Sequence, residues 1–390
     1  MDPFNMLPHE LLFMIFEKLT EWTDLDNLIQ ASPRMAALFG PGEKDPYTAA
    51  DPEVLRHIKH IISKDPIMKH GLDHHFWLCA SIRNPSNPVN HYTLADFVRG
   101  EVPSADSIAT TTRVALREMI GVVVNIRRLA CVCLTTFLGR LEEVLPRCSH
   151  LKIRPRMWME AFPDGHPVKD PPSWIEEYRV YRALWNLQVH TDLIKAGVRE
   201  PGRSFILFFG TDAESTWSRL TGATAREMQA VSECLVYHYW DDETFDPRTP
   251  RHCRFMEFQC ITRMPDASRV KGRSPCSVWC PPAEPEVIEP LEKNIHDSIY
   301  RDLHRWWQSM QWNMRHRPVA YWDDRPFRAM GMLIWDPRRL GRLKLWKDSP
   351  DPDHYTWRHD TRVSGPPAKE WVEGMYYWRA DPMHGFRGCW

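Results

Sequence analysis

Between residues 7 and 19 the chain reads LPHELLFMIFEKL, with eight apolar side chains among thirteen. Leu11, Leu12, Ile15, Phe16 and Leu19 recur at one-and-four spacing, which predicts a helix over about 9–20 with these residues on one face. Pro8 falls at or just before its first turn, where a missing N–H costs nothing. Thr23 with Asp26 has the spacing of a capping box, and Leu25, Leu28 and Ile29 form the stripe of a second short helix. Ser32-Pro33 marks a third start, an N-cap followed by proline at the first helical position, with Met35, Ala36, Leu38 and Phe39 inward. GPG at 40–42 ends the run.

Helical periodicity continues beyond a Gly- and Pro-rich linker at 41–52. Val54, Leu55, Ile58, Ile61 and Ile62 predict a helix over 53–63. Apolar positions from Val114 to Leu145 predict either two helices broken near Gly121 or one long one, stopped by Pro146. A Ser173/Glu176 capping box opens a helix that runs to Gly197, and Thr224 with Glu227 opens another over 225–240. A further stripe runs through 286–314. Only FILFF at 205–209 and MLIW at 332–335 suggest short strands, and the Pro-rich stretches 241–251 and 262–286 read as surface loops. The expected fold is mainly α: a three-helix head at 1–40, a linker at 41–52, an irregular, Trp-rich, predominantly helical domain at 53–346 with few short strands, and an irregular tail at 347–390.

The head carries more apolar surface than forty residues can cover, since chains of that length rarely build a self-sufficient core. If five such side chains meet a partner, at roughly 1.5 to 3 kcal/mol each, the gross gain is on the order of 10 kcal/mol before association costs. Helical spacing alone also fits the opening helices of a larger core. A helix-turn-helix DNA reader has three short helices too, but residues 33–39 offer only Arg34 to a base edge.

LPHELLFMIFEKLTEWTDLDNLIQASPRMAALF resembles an F-box: Leu7-Pro8, Glu10, Leu11-Leu12, Ile15, Leu19, Asp24-Leu25, Leu28, Ala31 and Leu38 fall at that family's positions. Pro33-Arg34-Met35 departs from it, standing where many members have a Cys and a Trp or Phe, which would soften the packing of the third helix. EEYRVYRALWNLQ and PFRAMGMLIWDPRRL resemble segments in the C-terminal regions of F-box proteins of filamentous fungi. The resemblance implies a substrate receptor of an SCF-type cullin-RING ubiquitin ligase. Its F-box would meet the adaptor subunit through Leu7, Pro8, Leu11, Leu12, Ile15, Leu25 and Leu28, while the C-terminal region holds an unknown target protein. A scaffold bound to the adaptor without ubiquitination is the nearest alternative.

Composition narrows the remaining classes. The 50 basic and 51 acidic side chains nearly cancel, so no general field draws in nucleic acid or an anionic membrane. Asp2 and Glu10 bracket the apolar start without a basic n-region, so no secretory signal is expected, and the ten cysteines are expected as reduced thiols in the cytoplasm or nucleus. The apolar stretches MIGVVVNI and LACVCLTTFLG, split by Arg127 and Arg128, are each short for a membrane span. Eighteen tryptophans suggest a Trp-stapled core, with which an aromatic binding cleft is compatible. Trp-Asp pairs at 240, 322 and 335 lack a propeller period, and no leucine-rich repeat frame occurs.

A metal-dependent enzyme would need ligands such as His57 with His60, His70 with His74 or His75, Cys276 with Cys280, Cys131 with Cys133, or Cys253 with Cys260. None of these has a suitable second pair, and the histidines read as solvent-facing or capping groups. The adjacent carboxylates Glu142-Glu143 and Glu176-Glu177 splay about 100° apart on a helix and read as charged outer faces. No P-loop, dinucleotide motif, nucleophile elbow or kinase set occurs. No catalytic constellation, metal or cofactor is expected.

Overall fold

A computed structural model of the chain describes residues 4, 6–19, 21–39, 48–84, 111–149, 170–196, 225–239, 263–269, 329–335 and 339. Of these residues 76% are helical, in eight helices, so the fold is mainly α. The helices are α1 His9–Lys18, α2 Trp22–Ala31, α3 Pro33–Phe39, α4 Pro52–Lys64, α5 Asp73–Arg83, α6 Arg113–Ser149, α7 Trp174–Lys195 and α8 Ala225–Tyr239. Among the described residues, extended pairing amounts to a bridge between Ala49 and Thr112. The chain divides into two compact units, Met1–Cys133 with Tyr178–Pro281, and Leu134–Glu177 with Pro282–Trp390. The three-helix head thus shares a unit with α4, α5, the first half of α6, most of α7 and α8.

Local chemistry sets several helix starts. Ser32 Oγ accepts from the Met35 amide at 3.1 Å and opens α3, as its sequence predicts. Asp51 does the same for α4, accepting from the Glu53 amide at 2.8 Å with Pro52 at the first helical position. At α7 the Ser173 amide donates to Glu176 Oε2 at 2.8 Å, one half of the expected capping box. The Thr23/Asp26 box does not form. Glu21 occupies the N-cap of α2 without a side-chain cap, and its carboxylate pairs with Arg127 instead. Trp22, wholly buried, starts the helix two residues earlier than the sequence suggests, and its indole is held from outside: Nε1 donates to Asp65 Oδ2 at 3.1 Å.

That indole begins an aromatic run through the first unit. Trp22 packs on Phe76 with ring centroids 5.8 Å apart, and Phe76 meets Trp185 edge-on at 6.3 Å, so α2, α5 and α7 share one hydrophobic seam. The Tyr178 hydroxyl donates to the His70 carbonyl at 2.8 Å and ties α7 to the turn before α5. Helix α5 has no counterpart in the sequence reading: His75, Phe76, Cys79 and Ser81 are all buried in a segment of mixed polarity.

Arg83 grips Asp192 in two parallel bonds of 2.8 Å each, and Gln188 Nε2 adds a third at 2.9 Å. Arg182 reaches Glu227 on α8 at 3.2 Å. Every described side chain of α7 from Trp174 to Leu193 is buried, charged ones included.

Helix α6 is continuous, since a glycine at 121 with open space around its Cα and a proline at 146 do not end it before Ser149. Its stretch Arg113–Glu143 is long and apolar enough by length and composition to cross a membrane, which the two shorter stretches taken singly do not suggest. Of its most apolar window 72% is buried inside the protein, and Arg127 within it is buried and paired with Glu21.

In the second unit MLIW is a turn rather than a strand: the amides of Ile334 and Trp335 both donate to the Gly331 carbonyl, at 2.8 and 3.2 Å. Gly331 has a φ of 69°, a left-handed conformation that glycine adopts without strain. Glu176 and Glu177, expected on an outer face, are buried, while Glu142 and Glu143 are exposed. For Glu176 the reason is Arg339, whose Nε and Nη2 donate to its two oxygens at 2.8 and 2.9 Å while the guanidinium lies over the Trp335 ring at 5.1 Å. The expected elements at 205–209, 241–251, 286–314 and 347–390, and most of the loop 262–286, lie outside the described residues. Within that loop Ala267–Arg269 form a turn of 3-10 helix, clipped by Asn125, which donates to the Pro265 carbonyl and accepts from the Ala267 amide, each at 2.9 Å.

Gly331→Ala tests the second unit. A Cβ there would stand 2.6 Å from Cγ of the buried Phe137, so strain and overlap act together. The expected loss is about 2 to 4 kcal/mol, read as a lower urea midpoint.

Candidate docking face

At about 100° per residue, Met14, Leu11, Ile15, Leu12 and Phe16 follow one another around α1 and span about 200°, more than one neighbouring surface can cover. The protein divides this arc in two. Leu12 and Phe16 turn inward, and Phe16 packs against Phe39 at 5.4 Å and His57 of α4 at 3.9 Å between ring centroids. Leu11, Met14 and Ile15 turn outward, 43%, 57% and 36% exposed, and Met6 just before the helix is 90% exposed. Together with Tyr237 these are the large apolar side chains that stand exposed among the described residues. Glu10, Glu17 and Lys18 are exposed beside them.

Of the seven side chains the resemblance assigns to adaptor contact, Leu11 and Ile15 lie within this outward stripe, with Pro8 exposed and Leu7 partly exposed at its start. Leu28 is partly exposed on α2. Leu12 and Leu25, at 1% and 0% exposure, are enclosed by their own unit and present nothing to a partner in this conformation. What encloses them is tertiary packing, which sequence periodicity does not reveal. Met6 and Met14 were missed. Met14 stands at i+3 from Leu11 and i−1 from Ile15, so its place on the outward side follows once the inward pair is known.

Arg34 shapes the start of the stripe. Its Nη1 donates to the carbonyls of Phe4 and Leu7, at 2.7 and 2.6 Å, across a turn in which the Leu7 amide donates to the Phe4 carbonyl at 3.1 Å. The departure from the F-box pattern at 33–35 does not loosen α3: Met35 is wholly buried, and Arg34 has a task of its own.

The candidate metal ligands do different work. His57 is buried against Phe16, and its ring lies 6.2 Å from that of exposed His60. His75 is buried with Nε2 at 2.8 Å from Asn186 Oδ1, whereas neighbouring His74 is exposed. Cys131 and Cys133 are both buried, and neither forms a disulfide. Among the described residues no group of three His, Cys, Asp or Glu side chains could hold a metal ion, and Cys253, Cys260, Cys276 and Cys280 lie outside those residues. Burial holds the His57 imidazole down at about 4 and that of His75 at about 3, in each case helped by a neighbouring histidine; burial alone holds His190 at about 3.

Two outcomes are expected. These imidazoles bind protons in the unfolded chain near its ordinary value of 6.5 but not in the fold, so stability is complete above pH 6.5 and falls as pH drops toward 4 and then 3. The urea midpoint should therefore be lower at pH 5 than at pH 7.5; an equal midpoint would contradict the neutral burial of these rings. Replacing Arg34 by Ala should raise the hydrogen-exchange rate of the Leu7 amide while leaving the amides of α4 protected.

No family profile, no curated protein and no solved structure matches this chain.

Proposed function

We propose that this chain is a non-enzymatic substrate receptor of an SCF-type cullin-RING ubiquitin ligase, docking on the adaptor subunit through the outward stripe of α1. The observation that supports this reading most is the concentration of bare apolar side chains: four of the five large ones exposed among the described residues fall between Met6 and Ile15. A protein surface rarely leaves such a cluster in water without a use for it. The F-box-like order of landmarks in residues 7–39 supplies the kind of partner. The remainder of the chain would hold a target protein, and catalysis would be proximity to the ubiquitin-charged enzyme. Work in the cytoplasm or nucleus fits this role, with neither nucleic acid nor membrane as partner.

Magnitudes shape the interface. The exposed fractions of Met6, Leu11, Met14 and Ile15 add up to little more than two whole side chains, on the order of 5 kcal/mol if covered. Association costs are of similar size. The stripe alone would not hold a partner, so Leu7, Pro8, Leu28 and the surrounding polar residues have to contribute contacts.

The test is co-purification of the adaptor subunit with the wild-type chain and with a Leu11→Ala, Met14→Ala, Ile15→Ala variant. All three positions are exposed, so the variant is expected to melt as wild type does while retaining little adaptor. Equal recovery with both chains, or none with wild type, rejects the reading. A scaffold role would appear as adaptor recovery with a target half-life that does not depend on α1.

A further inference from the structure

The described methionines fall into two groups. Met35, Met68, Met119, Met228, Met330 and Met332 are buried, and Met264 is partly covered. Met6 and Met14 are exposed, at 90% and 57%, and both belong to the apolar stripe on α1. Within the described part of the chain, the thioethers that solvent reaches freely are therefore those that a docking partner would cover.

We propose that Met6 and Met14 form an oxidation site that controls docking: a hydroperoxide converts them to sulfoxides on the free chain, and the face they build then no longer takes the adaptor. This rests on the adaptor-docking reading above. In the reaction a sulfur lone pair attacks one peroxide oxygen and the O–O bond breaks. Sulfur gains the oxygen and gives up two electrons, and the peroxide leaves as water or an alcohol. The thioether, flexible and apolar, becomes a polar group with a strong acceptor oxygen. Two of the four main apolar side chains of the stripe change character at once, on a face whose apolar gain is only of the same size as the cost of association. In the assembled complex the same sulfur atoms are covered, so oxidation blocks assembly rather than dismantling it. The buried methionines react later, since they meet peroxide only when the fold opens. Enzymatic reduction of the sulfoxide returns the thioether, which makes the control reversible.

The experiment uses the full chain, treated briefly with dilute hydrogen peroxide, with oxidation at each methionine read by peptide mass spectrometry and adaptor affinity measured before and after. A Met6→Leu, Met14→Leu variant keeps an apolar face that cannot be oxidised. The expected result is oxidation of Met6 and Met14 ahead of the buried methionines, adaptor binding weakened on the order of tenfold, recovery on treatment with methionine sulfoxide reductases, and, for the double variant, the same affinity after treatment as that variant shows before it, whatever that affinity is. Undiminished binding by wild type once Met6 and Met14 are oxidised, equal loss in the double variant, or preferential oxidation of buried methionines overturns the proposal while leaving adaptor docking intact. Failure of the untreated chain to bind the adaptor overturns the docking reading itself, and this proposal with it.

Discussion

A helix with no face toward water has to satisfy each of its charges from within the protein, and α7 imposes that condition on everything around it. An uncompensated buried charge would cost several kcal/mol, so each has to be matched in position and geometry. In the first unit Arg83 of α5 and Gln188 close on Asp192, while Arg182 turns to Glu227 of α8. In the second unit Arg339 closes on Glu176 in the first turn of α7. Apolar contact is tolerant of small shifts, whereas two-point guanidinium–carboxylate pairs are not. The Arg83–Asp192 pair therefore fixes where α5 stands on α7 better than the surrounding leucines could, while α8 is tied through a single nitrogen of Arg182.

The head takes its position from that arrangement. Phe76 of α5 lies between Trp185 of α7 and Trp22 of α2, and Asp65 at the end of α4 accepts from the Trp22 indole. The Glu21–Arg127 pair adds a link to α6. With α2 held in this way, Phe16 is carried onto His57, and α1 has one side committed to its own unit. The other side has no such neighbour among the described residues. A helix apolar over about 200° can be satisfied only by two surfaces, and the fold supplies one.

This asymmetry connects structure to the proposed function. The face left over is narrow, half of it built from methionine, and begins at a turn that Arg34 closes through two carbonyls. Narrow apolar faces of modest gain suit an interaction that can be made and lost. The methionines give it an adaptable surface, since an unbranched thioether fills irregular partner contours, and the same atoms give it a chemical liability.

Helical period, proline position and short-range capping were legible along the chain, because they depend on residues three or four apart. The starts of α3 and α7, the mainly α class and the apolar excess of residues 7–19 follow from that range alone. What the chain could not state is which apolar residues face which surface. Leu12 and Leu25 read the same as Leu11 and Leu28 by period, and only tertiary packing separates the enclosed from the accessible. Likewise Glu176 reads as an outer-face carboxylate until Arg339, 163 residues away, is brought to it. Spacing along a helix specifies a stripe, but the partner that covers it is chosen by contacts distant in sequence, and those exist only once the chain has folded.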